Sequence, residues 1–484
     1  MNILKKTILV FLIPLIFFNC KKNNNDDNST HNIIILYTND EHGWIEKSDY
    51  TDGAANMMGL WSEDEGYDGD DRYLILSGGD NWTGPAISTW FEGESTVDVM
   101  NAMEYDASTI GNHEFDFKID GLYDRIEQAD FPYLSANIRE KSSGEIPDFA
   151  TTHIIKDIDG VVVGIIGLTT TTTPYSTFPD HVADYDFIDY ATALEYIVPK
   201  VIEDGAELLI VTGHICYPEI IALAPTLVEL GIFVIGGGHC HNDLVGEFVN
   251  GVAVIKTNAF MQSYVKVEIN YDKVEKEVVN MEASVHLNEG GNPDQSVSDV
   301  VSYWRTQTDS ELSEVIGYTD SEIVRESSTM YNMVVDSWLA QYATADIAMT
   351  NAGGIRQSIP AGDITEEVIV GVLPFQNFII ELQLTGAEVI NCTDYADMIF
   401  GGMTTIGGYF LSDGTEIDNS TTYSVLTTDY LYAWNDYRFP FSQYDPSPYY
   451  TYMNYHQPTI DWITSLNTSA SNPLDNYLDN IARR

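Results

Sequence analysis

Seven residues of the first half have the right types to hold cations: Asp40 and His42 in TNDEHG, Asp80 in SGGD, Asn112 in GNHEFD, His214 in TGHICY, and His239 and His241 in GGGHCH. An Asp after a strand usually closes a turn, and an isolated His is usually a hydrogen-bonded surface or core residue. The chain has only 10 histidines, however, and five of them (His42, His113, His214, His239 and His241) follow apolar runs beside Gly, Asp or Asn. D-x-H and H-x-H each aim two ligands at one point from a single strand end. Imidazole mixed with carboxylate suits Zn, Mn, Fe or Co better than Ca or Mg. A carboxylate such as Asp80 can bridge two cations, and two cations about 3.5–4 Å apart can activate water and clamp a phosphoryl group.

The elements that must position these residues are legible as runs. NIIILYTND, DRYLILSGGD, GVVVGIIGLTT, AELLIVTGH and GIFVIGGGHCH are buried-strand patterns that stop abruptly at Gly, Asn, Asp or His. GLYDRIEQAD and ATALEYIVPKVIEDGA between them have helical spacing. The alternation predicts an α/β layered domain with a largely buried sheet, whose ligands gather where strands end. YDKVEKEVVNMEASVHL reads as a closing strand pair. VSDVVSYWRTQTDSEL reads as one helix with Ser298 as its N-cap, and a second mixed α+β domain follows. The divisions read from the chain are 1–20, 21–30, 31–290, a connector at 291–312, and 313–484.

In order and approximate spacing, these motifs resemble those of the calcineurin-like metallophosphoesterases. ILYTNDEHG and GNHEFD, with NAGGIR downstream, resemble the two-domain 5′-nucleotidase family over residues 31 to about 440. The resemblance implies a four-layer β-sandwich flanked by helices, then a connector helix and a mixed α+β domain. It implies two divalent metal ions, Zn, Mn or similar. Asp40, His42, Asp80 and His241 would hold one, and Asp80, Asn112, His214 and His239 the other. His113 would be the catalytic histidine, oriented by Asp116. In the second half, Asn351, Arg356 and Arg325 would meet the nucleotide, Phe375 and Tyr430 would stack on its base, and Asp436 would complete the pocket. Where the family has a Gly-Gly-Asp turn this chain has Trp434-Asn435-Asp436, which bears on substrate identity. The resemblance also suggests rotation about the connector.

The implied function is release of phosphate from nucleotides. Hydrolysis of UDP-sugars or 2′,3′-cyclic nucleotides is the alternative within the family. A non-catalytic binding lipoprotein is the alternative outside it, and the complete ligand set argues against that.

Composition bounds the partners. The 484 residues carry 74 Asp+Glu against 22 Lys+Arg, a net −52, which disfavours nucleic-acid polymers and anionic membranes. A small phosphorylated substrate requires local reversal of that field. MNILKKTILVFLIPLIFFNC has a basic start and a short apolar core, as export signals do. It resembles a lipoprotein signal with Cys20 as the lipidated residue; Asn19 before it leaves plain secretion as the alternative. The chain is thus expected in the bacterial periplasm or at the cell surface, touching membrane only through a lipid anchor. A Cys216–Cys240 bridge is compatible with an oxidising compartment, but nothing in the sequence fixes their separation. Cys216 reads as filler beside a complete ligand set.

Overall fold

The computed structural model describes residues 30–241, 243–395, 397–434 and 439–484. Its N-terminal part is built on two six-stranded mixed sheets. One runs Glu277–Leu287, Ser263–Asp272, Thr30–Thr38, Tyr73–Ser77, Ala107–Thr109, Tyr133–Leu134. The other runs Val245–Val249, Val252–Lys256, Ile232–Gly236, Leu208–Gly213, Val161–Leu168, His153–Ile158. The interior neighbours Thr30–Thr38, Tyr73–Ser77, Ala107–Thr109 and Tyr133–Leu134 are parallel, as are Val161–Leu168, Leu208–Gly213, Ile232–Gly236 and Val252–Lys256. Antiparallel strands close one edge of the first sheet, including the pair expected at 271–287, and both edges of the second.

The period of two along a strand explains why the sheets stack. In Thr30–Thr38, Ile33, Ile35 and Tyr37 enter the core between the sheets, with Leu74, Leu76, Ile165 and Ile210. Their neighbours Ile34 and Leu36 face the other way, onto a helical layer carrying Met57, Trp61, Val97 and Met100. The second sheet repeats the arrangement: Ile166, Leu209 and Val211 pack on Leu194, Ile197, Leu223 and Leu227 of the helices Tyr190–Glu203 and Tyr217–Glu229. Both faces of both sheets are therefore apolar, which is why these strands read as continuous hydrophobic runs. The result is four layers, helix, sheet, sheet, helix.

The helix Gln295–Leu312 follows. Its N-cap is Asp294, whose carboxylate accepts from the Val297 amide at 3.0 Å. Ser298, expected to cap it, lies inside the first turn and donates its hydroxyl to the Asp294 carbonyl at 2.6 Å; the chain enters the helix one turn earlier than the apolar pattern suggests. Val297 and Trp304 enter the N-terminal core. Trp304 is 4% exposed, lies 5.0 Å from the Phe91 ring and donates its indole N–H to Asp98 at 3.0 Å. Arg305 on the same helix reaches both Glu46, at 3.2 Å, and Glu367, at 2.6 Å.

Beyond the helix, a five-stranded sheet runs Met398–Gly401, Ile347–Asn351, Thr422–Thr428, Phe378–Thr385, Tyr449–Asn454, with only Ile347–Asn351 and Thr422–Thr428 parallel. One face packs on residues such as Met333, Trp338 and Ile463 from the helices Ser328–Gln341 and Gln457–Ser465, and the other on a cluster around Val389 and Phe441.

Replacing Trp304 with Ala removes a buried ring and its hydrogen bond, and should lower stability by about 3–5 kcal/mol. Urea unfolding measures this; a loss below about 1 kcal/mol would show that the helix is not anchored through this residue.

Candidate active site

Strand ends of both N-terminal sheets deliver the polar residues to one place. Asp40 and His42 follow Thr30–Thr38, Asp80 follows Tyr73–Ser77, and Asn112 and His113 follow Ala107–Thr109. His214 follows Leu208–Gly213, and His239 and His241 follow Ile232–Gly236. Turning the chain so sharply forces positive φ on residues other than glycine: Asp40 (53°), His42 (45°), Asp80 (59°), Thr83 (70°) and His239 (68°). Each such residue costs about 1–3 kcal/mol and persists only where its surroundings over-determine it. Here the loops brace one another through backbone hydrogen bonds from Asp40 to the Gly79 carbonyl (2.9 Å), from His42 to that of Asp80 (3.0 Å), and from Gly43 to that of Asn81 (2.8 Å).

Two buried glutamates fasten these turns from below. The Glu114 carboxylate accepts from the backbone amides of Asp80, Asn81 and Gly111 at 2.9, 2.7 and 2.5 Å. Glu41 accepts from Thr38, Ser77 and the Asn81 amide side chain at 2.5, 3.0 and 2.8 Å. Burial pushes Glu41 up to about 7, and burial together with the Asp80 charge pushes Glu114 up to about 8. Neither was singled out in the sequence, where an acid inside a motif looks like any other acid.

Above them, imidazoles and carboxylates crowd together. His42 must carry its proton on Nδ1, which donates to the Thr83 carbonyl at 3.0 Å, so its Nε2 lone pair points to His241 Nε2, 3.3 Å away. His214 likewise donates from Nδ1 to the Gly78 carbonyl at 2.8 Å, leaving Nε2 2.9 Å from an Asp80 oxygen. Asn112 Oδ1 is buried without a hydrogen-bond partner among the described residues. His241 Nε2 is 3.4 Å from Asp40. Three overlapping groups result, Asp40–His42–His241, His42–Asp80–His113 and Asp80–His214–His239, each with its ligand atoms within 4.8 Å of one another. Burial opposes charge on His214, yet Asp80 and Asp40 outweigh it and raise this imidazole to about 9. A field that strong recruits positive charge, and the clustered carboxylates and imidazoles, with the unpaired Asn112 oxygen, fit divalent cations.

His113 stands beside the cluster with Nδ1 2.7 Å from Asp116. The other Asp116 oxygen accepts from the Thr177 hydroxyl at 2.9 Å. Burial pulls His113 down, but Asp116 and then Asp80 outweigh it and hold the imidazole above its ordinary value.

The second half closes a cavity of about 610 Å³ over this surface. Asn351, Arg356, Phe375 and Tyr430 line it together with Asp80, Asn112, His113, Asp116, His239 and His241. The Phe375 ring lies 5.8 Å from His113 at 22°, and the Arg356 guanidinium is 5.7 Å from the Phe375 centroid. Burial, and then repulsion from Arg325, lower the Arg356 pKa. Arg325 is not among the lining residues: its Nε is committed to the Ile355 carbonyl at 2.8 Å. Phe178, from the first half, lies 6.3 Å from Tyr430 and stacks on His181 at 4.8 Å. Thr177 and Phe178 sit in a Thr-rich loop whose sequence carries no chemical signature. Trp434 packs 5.8 Å from Tyr430 and 5.3 Å from Phe439. Asp436 and Cys20 lie outside the described residues. Cys216 is not filler: it is bonded to Cys240, because the loops after two neighbouring parallel strands bring residues 24 apart in sequence together.

The fold is that of a metallophosphoesterase joined to a second mixed domain. Residues 311–392 match the family model of the 5′-nucleotidase C-terminal domain. A 5′-nucleotidase of Vibrio parahaemolyticus is 26% identical over 86% of this chain and 84% of its own length. Endonuclease YhcR of Bacillus subtilis is also 26% identical, over 82% of this chain, which spans 37% of that longer protein. The crystal structure of a 5′-nucleotidase precursor from Thermus thermophilus superposes with a TM-score of 0.76 at 21% identity, covering 93% of this chain and 98% of that one. Over most of its length the chain is thus similar to two-domain 5′-nucleotidases, with the match to the C-terminal domain model confined to residues 311–392.

Folded His113 binds its proton more tightly than in the unfolded chain, whose value is near 6.5. Its pairing with Asp116 therefore stabilises the fold fully below that pH and fades as pH rises through the higher folded value. Asp116→Asn should destabilise the metal-free protein more at about pH 6 than at about pH 9, and lower the pH at which His113 titrates by NMR. An unchanged His113 titration would refute the assigned pairing.

Proposed function

We propose that this chain is an exported, metal-dependent phosphoric monoester hydrolase acting on nucleotides. The observation that carries this reading is the shared cavity, in which a cation-hungry cluster and the His113–Asp116 pair face Arg356 and Phe375 from the other half. Asp40, His42, Asp80 and His241 would hold one divalent cation, and Asp80, Asn112, His214 and His239 would hold a second. Bound there, the pair supplies water activation and neutralises charge on phosphoryl oxygens.

The side chains do the rest. Asp116 keeps the His113 proton on Nδ1 and stabilises the imidazolium form, so Nε2–H can donate to a phosphoryl oxygen or the departing nucleoside oxygen. Thr177 holds Asp116 in that orientation. Arg356 offers a planar fork to the remaining anionic oxygens, and Arg325 adds positive potential from behind it. Phe375, Tyr430 and Phe178 present aromatic faces to the base, a contact worth about 1–3 kcal/mol per stacked base. Asn351 can hydrogen-bond the nucleoside. The apolar leader and the Cys216–Cys240 bridge support an oxidising compartment outside the cytosol, with Cys20 as the site of a lipid anchor.

Phosphate release from AMP, with UDP-glucose and 2′,3′-cyclic AMP in parallel, tests the reading. AMP should be the best substrate, chelation should abolish turnover, and His113→Ala should lower kcat by about 10²–10⁴. A His113→Ala protein as fast as wild type would sink the assignment.

A further inference from the structure

The Cys216–Cys240 bridge lies in the middle of the proposed ligand set. Cys216 is two residues after His214, and Cys240 separates His239 from His241. The two Cα atoms are 5.2 Å apart. Cys216 is also the N-cap of the helix Tyr217–Glu229, whose Ile220, Leu223, Ala224 and Leu227 are buried in the core. One end of the bridge is therefore rigid.

The other end is the Gly-Gly-His-Cys-His turn, whose His239 has a φ of 68°. The Gly237 amide donates to the Ile255 carbonyl at 2.8 Å and the Gly238 amide to that of Ile215 at 3.0 Å, which tie the start of the turn to its neighbours. Beyond them the Cys240 amide bonds only within the turn, to the Gly238 carbonyl at 2.8 Å, the His239 ring meets the Thr172 hydroxyl at 3.1 Å, and the His239 amide lies 3.0 Å from an Asp40 oxygen. The latter partner is itself one of the acceptors that a cation must satisfy.

We propose that the Cys216–Cys240 disulfide is a positioning device for the cation site, tying His239 and His241 to the rigid His214 anchor so that cation affinity depends on thiol redox state. The inference rests on the metal reading above. Closing the bridge joins the two Sγ atoms and releases two protons and two electrons. The electrons pass to a small oxidised disulfide, which leaves as two thiols, and an excess of reducing thiol runs the exchange backwards. Both cysteines are partly exposed, so small thiols can reach them. Cys392, the free cysteine of the described residues, is buried, and burial pushes its thiol up to about 12, so it does not compete in the exchange. The oxidised form loads metal more tightly, so the site fills most readily where disulfides persist.

The test compares three metal-free full-length proteins: oxidised wild type, wild type reduced with a phosphine and freed of it, and the Cys216→Ser/Cys240→Ser double variant. Each is titrated with cobalt(II), read by its visible d–d absorption, below a melting temperature measured without metal. The oxidised protein should bind cobalt about 10–100-fold more tightly than either open form. Oxidised glutathione should restore the reduced wild type and leave the double variant unchanged. Equal cobalt affinity in all three, with only melting temperature lowered in the open forms, would make the bridge merely structural and overturn the proposal while leaving the metal reading intact. Tighter binding by reduced wild type, with an intense near-ultraviolet thiolate–cobalt band, would make the cysteines ligands and also overturn it. Oxidised wild type that takes up no cobalt would remove the metal reading and this proposal with it.

Discussion

The structure turns on a concentration of buried charge: the Asp40 and Asp80 carboxylates stand among the imidazoles of His42, His214 and His241. His42 Nε2 lies 3.3 Å from His241 Nε2, and His214 Nε2 lies 2.9 Å from an Asp80 oxygen. Buried carboxylates are expensive unless positive charge meets them. Everything around the cluster serves to keep those atoms from turning away. The left-handed residues hold the loops tight, Glu114 and Glu41 gather the amides and hydroxyls beneath them, and two stacked sheets fix the strand ends from which the loops spring. This is the use of strain expected at a functional site, supported by a rigid surround.

The same arrangement reconciles the chain's charge with an anionic substrate. With 74 acids against 22 Lys and Arg, the surface repels polyanions, and screening in salt limits that repulsion to about 8 Å. Inside the cavity Asp80, Asp116, Asp180 and Asp429 face Lys118 and Arg356, so the proposed cations would have to reverse the balance there. The chain's overall acidity then says little about the small molecule bound within.

Much of this was legible in the sequence. Strands buried on both faces produce unbroken apolar runs, and their polar ends named the cluster before any coordinates did: Asp40, His42, Asp80, Asn112, His214, His239 and His241 converge. The His113–Asp116 pairing was implied by the resemblance, and the short helical turn His113–Phe115 brings the two side chains within 2.7 Å. What was not legible depends on contacts distant in sequence or on ambiguous letters. No local pattern shows that Cys216 and Cys240 end up 5.2 Å apart at Cα. Asp294 rather than Ser298 caps the connector helix because both are good caps and only the path of the entering chain decides. Glu114 and Glu41 look like surface acids until burial is known. Thr177 and Phe178 sit in a loop whose composition says only that it is polar, and Arg325 is turned from the cavity by a backbone carbonyl that no motif records.

The central claim is that two cations sit on either side of Asp80. Anomalous diffraction from crystals soaked in manganese measures this directly. The account predicts two peaks, one among Asp40, His42, Asp80 and His241 and the other among Asp80, Asn112, His214 and His239. A single peak, or peaks away from these residues, would contradict it.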